Sequence, residues 1–441
     1  MKLSLSNYRC FARTPDIEVR PLTLIVGENS SGKTSLMAAL RFSLELSRSP
    51  ASSFFNVYPF DLGPYDDIVH QSGEISTTKR FSLCIEKYVR LADARYFPHP
   101  HENDKRDYLV KTTFFFKSNY GDTVLSSVRL ECEEDQMDVR FDDVMRVTIV
   151  SGEFRSEMSQ PNMFGQGSAN SAVSLQNSFY LLMGLRFRAD EEKKSSIEKQ
   201  KIQFFASLYD AFLSDNHHVV ATPPVRSVPR KVYTASDDSS IERGESAPHE
   251  LSKIKRSDKK RWVKLNRELN RMGKQSGLFS KLDVKKLTQQ DSGPFQLKVT
   301  VRGRSTPIAD VGYGVSQSLP IFADIINHKG SKSALLLQQP EVHLHPRAQA
   351  ELGTIFAEYV AASSRGVVIA ETHSDHLIDR LRIEVREGRL NSNLVNMVFL
   401  EPGVEEVAVH QLNLDGQGNI IGAPAAYRSF FIREQERVLG F

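Results

Sequence analysis

Two kinds of hydrophobic pattern divide the chain. Between Phe81 and Val150 apolar and polar positions recur in β-rich stretches, for example Lys111–Lys117 and Val124–Glu131, and this pattern predicts an antiparallel sheet. The runs Leu22–Val26 and Ser333–Leu337 are instead almost continuously apolar, which is typical of buried strands. A chain with both patterns belongs to the α/β class.

Shorter patterns complete the expected elements. Strands are predicted at Lys2–Leu5, Ile17–Arg20, Gly366–Ala370, Leu394–Leu400 and Val407–Leu412, and helices at Thr34–Leu46, Ala172–Leu185 and Ser195–Leu213. The polar segment Ser236–Pro248 is predicted to be a loop. Because the composition changes at about residues 168 and 293, we expect an N-terminal lobe (1–167), a helical, partly basic insertion (168–293) and a C-terminal lobe (294–441).

Composition narrows the class of protein only slightly. The 441 residues are 40% hydrophobic and 25% charged, as in an ordinary globular protein, and the net charge is +3. No apolar run is long enough to cross a membrane, and the N-terminus lacks the features of a signal peptide. The three cysteines lack metal-ligand spacing and fit reduced thiols, so we expect a cytoplasmic protein without a membrane partner.

A glycine-rich segment joins the first buried strand to the first predicted helix. It reads Gly27-Glu28-Asn29-Ser30-Ser31-Gly32-Lys33-Thr34 and matches G-x4-G-K-[ST] in full. The glycines allow a tight turn whose N–H groups face a phosphate, and the following helix presents its positive end to the same anion. Lys33 is expected to reach the β- and γ-phosphates and Thr34 to ligate Mg²⁺, so the expected cofactors are ATP and Mg²⁺. The other loop residues expected to bind the nucleotide are Gly27, Asn29, Ser30, Ser31, Gly32 and Ser35.

Three segments in the last third of the chain carry further candidate chemistry. Ala334–Pro346 is an apolar strand that runs into the polar turn Gln338-Gln339-Pro340-Glu341-Val342-His343, and Val367–Ser374 is a second buried strand ending in a histidine, His373. Asp310–Pro320 is a glycine-containing turn before an apolar helix. These are the places where P-loop ATPases hold a metal-water carboxylate, a general base and a γ-phosphate sensor.

Together these motifs resemble the RecF/SMC/OLD-like ATPases of ABC type, which include bacterial AAA-family ATPases with an associated domain of unknown function. The segments with similar sequences are Leu3–Phe11, Asn29–Ser35, Gly312–Pro320, Gln339–Pro346 and Glu371–Ser374. Gly312–Pro320 is similar to the signature segment of the family and is called the signature turn below. The resemblance implies an ABC-type head, with a mixed sheet flanked by helices, an antiparallel β subdomain and a helical insertion. It also implies a homodimer or higher homo-oligomer in which ATP is bound between the Lys33 loop of one subunit and the signature turn of the other. The signature residues expected to contact that ATP are Gly312, Gly314, Ser316 and Gln317.

The chain departs from this pattern where the metal carboxylate is expected. Gln338 occupies the acidic position that holds the Mg²⁺ water shell. Gln339 occupies the next position, which is a glutamate in most ABC-type ATPases but often Gln in the subgroup that the chain resembles. A glutamine can orient a water molecule but cannot take its proton. Two interpretations remain open: Glu341 serves as the base and hydrolysis is preserved, or the protein binds ATP tightly, hydrolyses it slowly and acts as an ATP-gated switch. His373 is expected to sense the γ-phosphate, and the alternative is a packed histidine whose hydrogen bonds are satisfied. For Glu341 the alternative to catalysis is a hydrogen-bonding role in a solvated turn.

A basic stretch from Lys253 to Lys274 contains only two acidic residues, Asp258 and Glu268, and the single tryptophan, Trp262. If it is helical, Lys260, Lys264, Arg267 and Arg271 share one side and could follow a nucleic-acid backbone. Alternatively it is a solvated helix face that packs through Trp262, Leu265 and Leu269. Arg226 and Arg230 either bind phosphate or anchor the insertion.

Three hypotheses of function follow. The first is an ATPase that controls a separate effector, a nuclease or toxin, as in the Septu- and PARIS-type anti-phage systems that the chain resembles. The second is a RecF-like ATPase that binds DNA in repair or replication. The third is a scaffold in which nucleotide only stabilises the fold.

Overall fold

The computed structural model describes residues 1–46, 55–71, 80–95, 106–141, 144–161, 196–226, 228–234, 246–290, 293–363, 365–427 and 436–437. The helix predicted at Ala172–Leu185 and most of the predicted loop Ser236–Pro248 lie outside these residues. No helix in the described ranges is both long enough and apolar enough to span a membrane.

The strands, in chain order, are β1 Lys2–Tyr8, β2 Phe11–Arg13, β3 Ile17–Glu18, β4 Leu22–Gly27, β5 Asn56–Val57, β6 Phe60–Asp61, β7 Arg80–Val89, β8 Tyr108–Asn119, β9 Asp122–Cys132, β10 Asp135–Phe141, β11 Val144–Ser151, β12 Phe154–Pro161, β13 His218–Thr222, β14 Lys281–Lys286, β15 Phe295–Val301, β16 Arg304–Pro307, β17 Ser333–Gln338, β18 Val367–Glu371, β19 Val395–Pro402, β20 Val407–Leu414 and β21 Ile420–Ile421.

The α-helices are α1 Lys33–Leu44, α2 Tyr65–Ile68, α3 Ser196–Ser214, α4 Ser246–Ser257, α5 Lys259–Gln275, α6 Tyr313–Asn327, α7 Pro346–Ala362 and α8 Asp375–Arg386. The described chain forms two compact units. Unit 1 comprises Met1–Val19, Ser30–His217 and Pro402–Val409, and unit 2 comprises Arg20–Asn29, His218–Glu401 and His410–Phe441.

Unit 1 is built on an antiparallel sheet, as the alternating pattern predicts. Its strand order is β12-β11-β10-β9-β8-β7-β1-β2, with β3 paired to β1. Alternate residues of β7 and β8 are buried, and the phenyl rings of Phe81 and Phe116 stack at 4.9 Å. Phe42 of α1 packs edge-on against Phe116, so the helix that follows the glycine-rich loop is held on the apolar face of this sheet.

Unit 2 is built on a mixed sheet of order β13-β17-β18-β4-β19-β20-β21. The strands from β13 to β19 pair in parallel, and β20 and β21 pair antiparallel. Every residue of β17 is buried, as are all but the last of β4. The continuous apolar runs therefore mark strands covered on both faces, and the predicted α/β class with mixed and antiparallel sheets is confirmed.

The three-part division of the chain stays a prediction, but its central part contains strands that the helical patterns had concealed. His218–Thr222 forms β13, which pairs in parallel with β17, and Lys281–Lys286 forms β14 of a small antiparallel sheet with β15 and β16. A five-residue strand such as β13 is too short for its periodicity to be separated from that of the preceding helix. The helix predicted at Ser195–Leu213 is α3, and Ser246–Pro248, predicted to belong to a loop, instead begin α4.

Candidate nucleotide-binding site

The first part of the glycine-rich loop belongs to unit 2. It begins at Gly27, the last residue of β4, and continues through the exposed Glu28 and Asn29. β4 lies between β18 and β19, and the N–H of Thr372 donates to the carbonyl oxygen of Ile25 at 3.0 Å. The loop therefore starts at the carboxyl edge of a parallel sheet, where α/β proteins bind their ligands.

The second part of the loop belongs to unit 1. Ser30 and Gly32 have left-handed backbone conformations, with φ of 60° and 87°, which curl the chain before α1 begins at Lys33. A Cβ atom on Gly32 would collide with Sγ of Cys10 and lie 3.1 Å from the ring of Phe11, so only glycine fits at this position. The side chain of Lys33 is buried, and Thr34 is exposed.

Two observations in unit 1 favour an anion at this loop. The Oγ of Ser31 is buried and has no hydrogen-bond partner in the described part of the chain. The first turn of α1 is fixed from below, because Tyr8 Oη donates to the carbonyl of Ser35 at 3.0 Å and Arg9 Nε donates to Ser35 Oγ at 3.3 Å. A rigid helix start with an unsatisfied buried hydroxyl in the preceding loop is a suitable cradle for phosphate oxygens.

The ends of β17 and β18 bring an amide and a carboxylate together in unit 2. Gln338 is the register partner of Glu371, and Glu371 is the register partner of Ile25 on β4. Gln338 Nε2 lies 3.5 Å from Glu371 Oε2, and both side chains are buried. We call Gln338, Glu371 and the neighbouring Glu341 the strand-end cluster.

Glu341 connects the turn after β17 to the histidine segment after β18. Its Oε1 accepts from the backbone N–H of His373 at 2.7 Å, whereas its buried Oε2 has no hydrogen-bond partner among the residues that the structure describes. Burial raises the pKa of Glu341, hydrogen bonds from the His373 and Glu341 backbone and from Thr372 oppose the rise, and the charge of Glu371 adds to it. A buried carboxylate with one unsatisfied oxygen and a raised pKa is suited to accept a proton or a cation.

Gln339, in the turn after β17, adopts a strained backbone conformation. Its φ is 43°, in the left-handed region, and its N–H donates to the carbonyl oxygen of Glu371 at 2.9 Å. Non-glycine residues in this region carry a cost of about 1 kcal/mol or more. The hydrogen bond between neighbouring strand ends holds the turn in this shape.

Arg226 joins the signature segment to the end of β17. Its Nη1 donates to the carbonyl of Gln317 at 3.2 Å, and its Nη2 donates to the carbonyls of Gln338 and Gln339, each at 3.3 Å. Burial lowers the pKa of Arg226 to about 10, and the charges of Glu341 and Asp324 oppose this change. Of the two roles left open by the sequence, these bonds support the anchoring role for Arg226.

The signature turn includes the start of α6, which begins at Tyr313 after the exposed Gly312. A Cβ on Gly314 would lie 2.8 Å from the carbonyl oxygen of His343, so glycine allows this helix to approach the turn after β17 closely. Ser316 and Gln317 are buried, and Ser316 Oγ donates to the Tyr313 carbonyl at 2.9 Å. Within the single chain, the exposed part of this turn is therefore Gly312 and Tyr313.

The residues present fit Mg-ATP in composition. No group of three or more His, Cys, Asp or Glu side chains in the described ranges is arranged to hold a metal ion. A metal at this site therefore needs phosphate oxygens and water for most of its ligands, as Mg²⁺ in nucleotide sites generally does. In unit 1, the unsatisfied Ser31 Oγ is a polar atom that a phosphate oxygen would satisfy. In unit 2, the unsatisfied Glu341 Oε2 is one that a cation or its water would satisfy.

Comparison with known proteins decides the class. A family model described as "AAA ATPase domain" matches residues 1–378. The chain belongs to the AAA ATPase domain family. No curated protein matches it in sequence. The expectation of a P-loop ATPase is thereby confirmed at the level of the family.

Solved structures similar to this AAA ATPase domain protein include heads of SMC proteins. One is an SMC head bound to the C-winged helix domain of ScpA, with 13% identity, 94% of this chain and 97% of that chain covered and a TM-score of 0.44. An SMC head bound to the C-terminal domain of ScpA, from Pyrococcus furiosus, has 12% identity, coverage of 99% and 98% and a TM-score of 0.44. The SMC head from Thermotoga maritima has 12% identity, coverage of 92% and 97% and a TM-score of 0.36. Because these TM-scores are below 0.5, nothing about partners or assembly is transferred from them.

Within this family, the structure groups the predicted site residues by unit. In unit 2, Gln338 and Gln339 each donate to Glu371, Glu341 accepts from the His373 backbone, and Arg226 ties Gln317 to Gln338 and Gln339. Unit 1 holds Ser30 to Ser35 at the start of α1. Their roles toward a nucleotide stay predictions.

Glu371 belongs to the histidine motif Glu371–Ser374, but the motif by itself assigns no separate role to this residue. A charged residue at the end of an otherwise apolar strand is a recognisable pattern, since ionised side chains are rarely buried without a reason. The register of Glu371 with Gln338 could not be read from the sequence, because a helix separates the two residues along the chain. The pairing of β17 with β18 is what brings them together.

Proposed function

We propose that the protein binds Mg-ATP on the loop Gly27–Thr34 and uses it to gate a homodimer that controls a separate effector protein. The observation that carries this proposal is the loop itself, a complete phosphate-binding motif between a buried parallel strand and a helix in a chain of the AAA ATPase domain family. The bound nucleotide supplies a transferable γ-phosphoryl group and, with Mg²⁺, a concentrated charge.

The loop residues would hold the phosphates by position and charge. The backbone N–H groups from Asn29 to Gly32 and the N-terminus of α1 favour an anion, and Lys33 supplies a positive charge. The exposed Thr34 hydroxyl would ligate Mg²⁺, and Ser35 supports the first turn of the helix through Arg9. Gly27 and Gly32 permit the tight approach of backbone to phosphate.

Slow turnover fits the turn after β17 better than rapid turnover. Gln338 and Gln339 are both neutral, so neither can take the proton of an attacking water. Glu341 is the best candidate for a residual base, because it is a carboxylate with a raised pKa, one unsatisfied oxygen and a fixed position against His373. His373, which is exposed at the end of the next strand, would report the state of the γ-phosphate through that same contact.

Dimerisation would use the signature turn. Gly312 and Tyr313 are exposed and could meet the nucleotide of a second copy, whereas Ser316 and Gln317 would support the turn from within. The bound ATP would then stabilise the dimer, because anything that binds only one state shifts the equilibrium toward it. The identity of the effector as a nuclease or toxin, and a role in anti-phage defence, rest on the resemblance of the motifs alone.

Nucleotide binding and phosphate release by the purified protein test the proposal. Wild type should bind Mg-ATP and shift from monomer to dimer in light scattering, and Lys33→Ala should lose both properties. Lys329→Ala, a change at an exposed lysine after α6, serves as the matched control and should behave as wild type. Wild-type protein that shows no ATP-dependent binding, or a dimer that forms equally without nucleotide, would contradict the proposal.

Duplex DNA binding through α5 is the second candidate. The condition set for the basic stretch is met over Lys259–Gln275, which is helical, and Lys260, Lys264, Arg267 and Lys274 are exposed on the side opposite its buried residues Leu265 and Leu269. Arg271, expected on the same stripe, instead donates to both carboxylate oxygens of Glu358, at 3.1 and 2.7 Å. Packing through Leu265, Leu269 and the partly buried Trp262 also occurs, so the two interpretations of the stretch are compatible.

The salt dependence of DNA affinity separates this candidate from a merely solvated helix face. If the stripe contacts phosphates, Lys260→Glu with Lys264→Glu should weaken binding and lower the slope of log K against log salt by about 2. Lys329→Glu is the control, because it makes the same change of charge at a lysine outside the basic stretch. Absence of ATP-dependent duplex binding in the wild type would eliminate the candidate.

A further inference from the structure

The end of β17 lacks the negative charge that a metal-bound nucleotide requires beside it. Both candidate positions on this strand, Gln338 and Gln339, carry amides. An amide oxygen is a weaker partner for Mg²⁺ or its water ligands than a carboxylate. The question is therefore whether another strand supplies the charge.

β18 ends in such a carboxylate at the matching level of the sheet. Glu371 is in register with Gln338 on one side and with Ile25 on the other, so β18 separates the strand of the missing carboxylate from the strand that leads into the phosphate loop. Register partners of parallel strands point to the same face of a sheet, and neighbouring strands are about 4.8 Å apart. Glu371 thus lies on the same face as Gln338 and one strand nearer to β4.

The amide at Gln338 is compatible with a charge at Glu371, and a carboxylate there would not be. With 3.5 Å between Nε2 of Gln338 and Oε2 of Glu371, two carboxylates would repel each other and one would take up a proton. An amide instead offers an N–H to the carboxylate. The amide of Gln338 on β17 is therefore paired with the carboxylate of Glu371 on β18.

A second buried group points to a missing cation at the same place. Glu341 Oε2 is buried with no partner among the described residues, and the charge of Glu371 is felt at Glu341. The charge of Arg226 acts on Glu341, but the Nη atoms of Arg226 donate to the carbonyls of Gln317, Gln338 and Gln339, so these hydrogen bonds leave Glu341 Oε2 unsatisfied. Two buried carboxylates with one unsatisfied oxygen are unfavourable unless a positive group joins them.

We propose that Glu371, on the strand beside β17, supplies the carboxylate that orients the Mg²⁺ of the bound nucleotide, with Gln338 as its amide partner. This proposal rests on the proposed ATP-binding function. Glu371 is a positioning residue here, and its effect is on metal dependence rather than on nucleotide affinity without metal.

Relocating the charge between the two strands tests this inference. The variants are Glu371→Gln, which removes the carboxylate, and the double variant Gln338→Glu/Glu371→Gln, which returns it to β17. Glu351→Gln on α7, where Glu351 pairs with Arg380, is a control for the loss of one carboxylate in the same unit. The readout is equilibrium binding of a fluorescent ATP analogue as a function of Mg²⁺ concentration, with EDTA present in a parallel titration.

Glu371→Gln should raise the Mg²⁺ concentration for half-maximal binding by about 10-fold or more, the effect usual for loss of a group that orients a metal ligand. Binding in EDTA should stay as in wild type, and the double variant should recover most of the Mg²⁺ dependence. An unchanged Mg²⁺ dependence in Glu371→Gln, with normal binding by the wild type, would overturn the inference and leave the proposed function standing. Wild type without any nucleotide binding would overturn both.

Thermal unfolding of each variant shows whether it is folded. If Glu371→Gln does not fold, the double variant decides alone, because it keeps one amide and one carboxylate in contact. Mg²⁺-dependent binding by the double variant supports the inference, and a folded double variant that binds only in a metal-independent manner overturns it.

Discussion

The phosphate loop begins where β4 ends, and the turn from Gln338 to His345 begins where β17 ends, at the same edge of one parallel sheet. The loop matches its motif in every position, and its glycines and hydroxyls have the conformations and the unsatisfied atom expected of an anion site. The turn keeps the shape of its motif but has amides in place of acids. Backbone geometry and charge are therefore separable: Arg226 and the Gln339 N–H bond to the Glu371 carbonyl hold the turn, and the carboxylate of Glu371 lies on the next strand.

Arg226→Met gives the largest expected effect, because it removes the group that holds the turn. Three carbonyl oxygens would lose their donor, and the charges of Glu341 and Asp324 would lose a neighbouring cation. We expect the free energy of unfolding to fall by about 3 kcal/mol. Thermal or urea unfolding measures the change.

The exposed Arg230 offers a matched control for that substitution. Arg230→Met should change stability by less than about 0.5 kcal/mol. Equal effects of the two substitutions would mean that the buried bonds of Arg226 do not hold the turn.

Glu341→Gln tests whether the turn retains a base. Its carboxylate is the one proton acceptor proposed here, so phosphate release should fall by about 100-fold while Mg-ATP binding persists. A nucleotide-bound dimer should accumulate, visible in light scattering with ATP. Turnover that persists at the wild-type rate would exclude Glu341 as the base.

Gln339→Glu sharpens the comparison from the other side. It restores an acid at the position that the resemblance assigns to the catalytic glutamate, within a turn whose shape is already held by the Gln339 N–H bond to Glu371. We expect turnover to rise by up to about 10-fold, which corresponds to a decrease of ~1.4 kcal/mol in the activation free energy. No increase would indicate that the missing acid is not what limits hydrolysis.

Asp324→Asn gives the smallest expected effect and probes the region behind the turn. Burial raises the pKa of the half-buried Asp324 to about 7, the charge of Glu250 adds to this rise, and Arg226 and a hydrogen bond from Thr222 oppose it. Because the folded-state pKa lies above the ordinary 3.8, the ionised form is disfavoured in the fold and Asp324 costs stability as the pH rises from about 4 to about 7.

The asparagine variant avoids this cost, so its advantage should depend on pH. At pH 8 it should be more stable than wild type by about 1 kcal/mol, which is a few degrees in Tm. Near pH 4 the difference should vanish. An equal difference at both pH values would show that Asp324 is not the titrating group.

Local patterns were sufficient for several parts of the fold. Alternation predicted the antiparallel strands around Lys111–Lys117 and Val124–Glu131, and apolar runs predicted β4, β17 and β18. The loop from Gly27 to Thr34 was recognisable because its function depends on backbone conformation, which glycine positions report directly. In the middle of the chain the pattern was less informative, and the short β13 was not distinguished from its helical surroundings.

The sequence alone predicted a P-loop ATPase of the α/β class and showed amides at positions 338 and 339 and a basic stretch from Lys253 to Lys274. Only the tertiary structure decided that Gln338 meets Glu371, that Arg226 is anchored rather than presented, and that Arg271 is committed to Glu358. The physical reason is that hydrophobic period and turn chemistry are local properties of the chain. Strand register and the partners of buried charges depend on residues far apart in sequence, and only the folded chain brings them within hydrogen-bond distance.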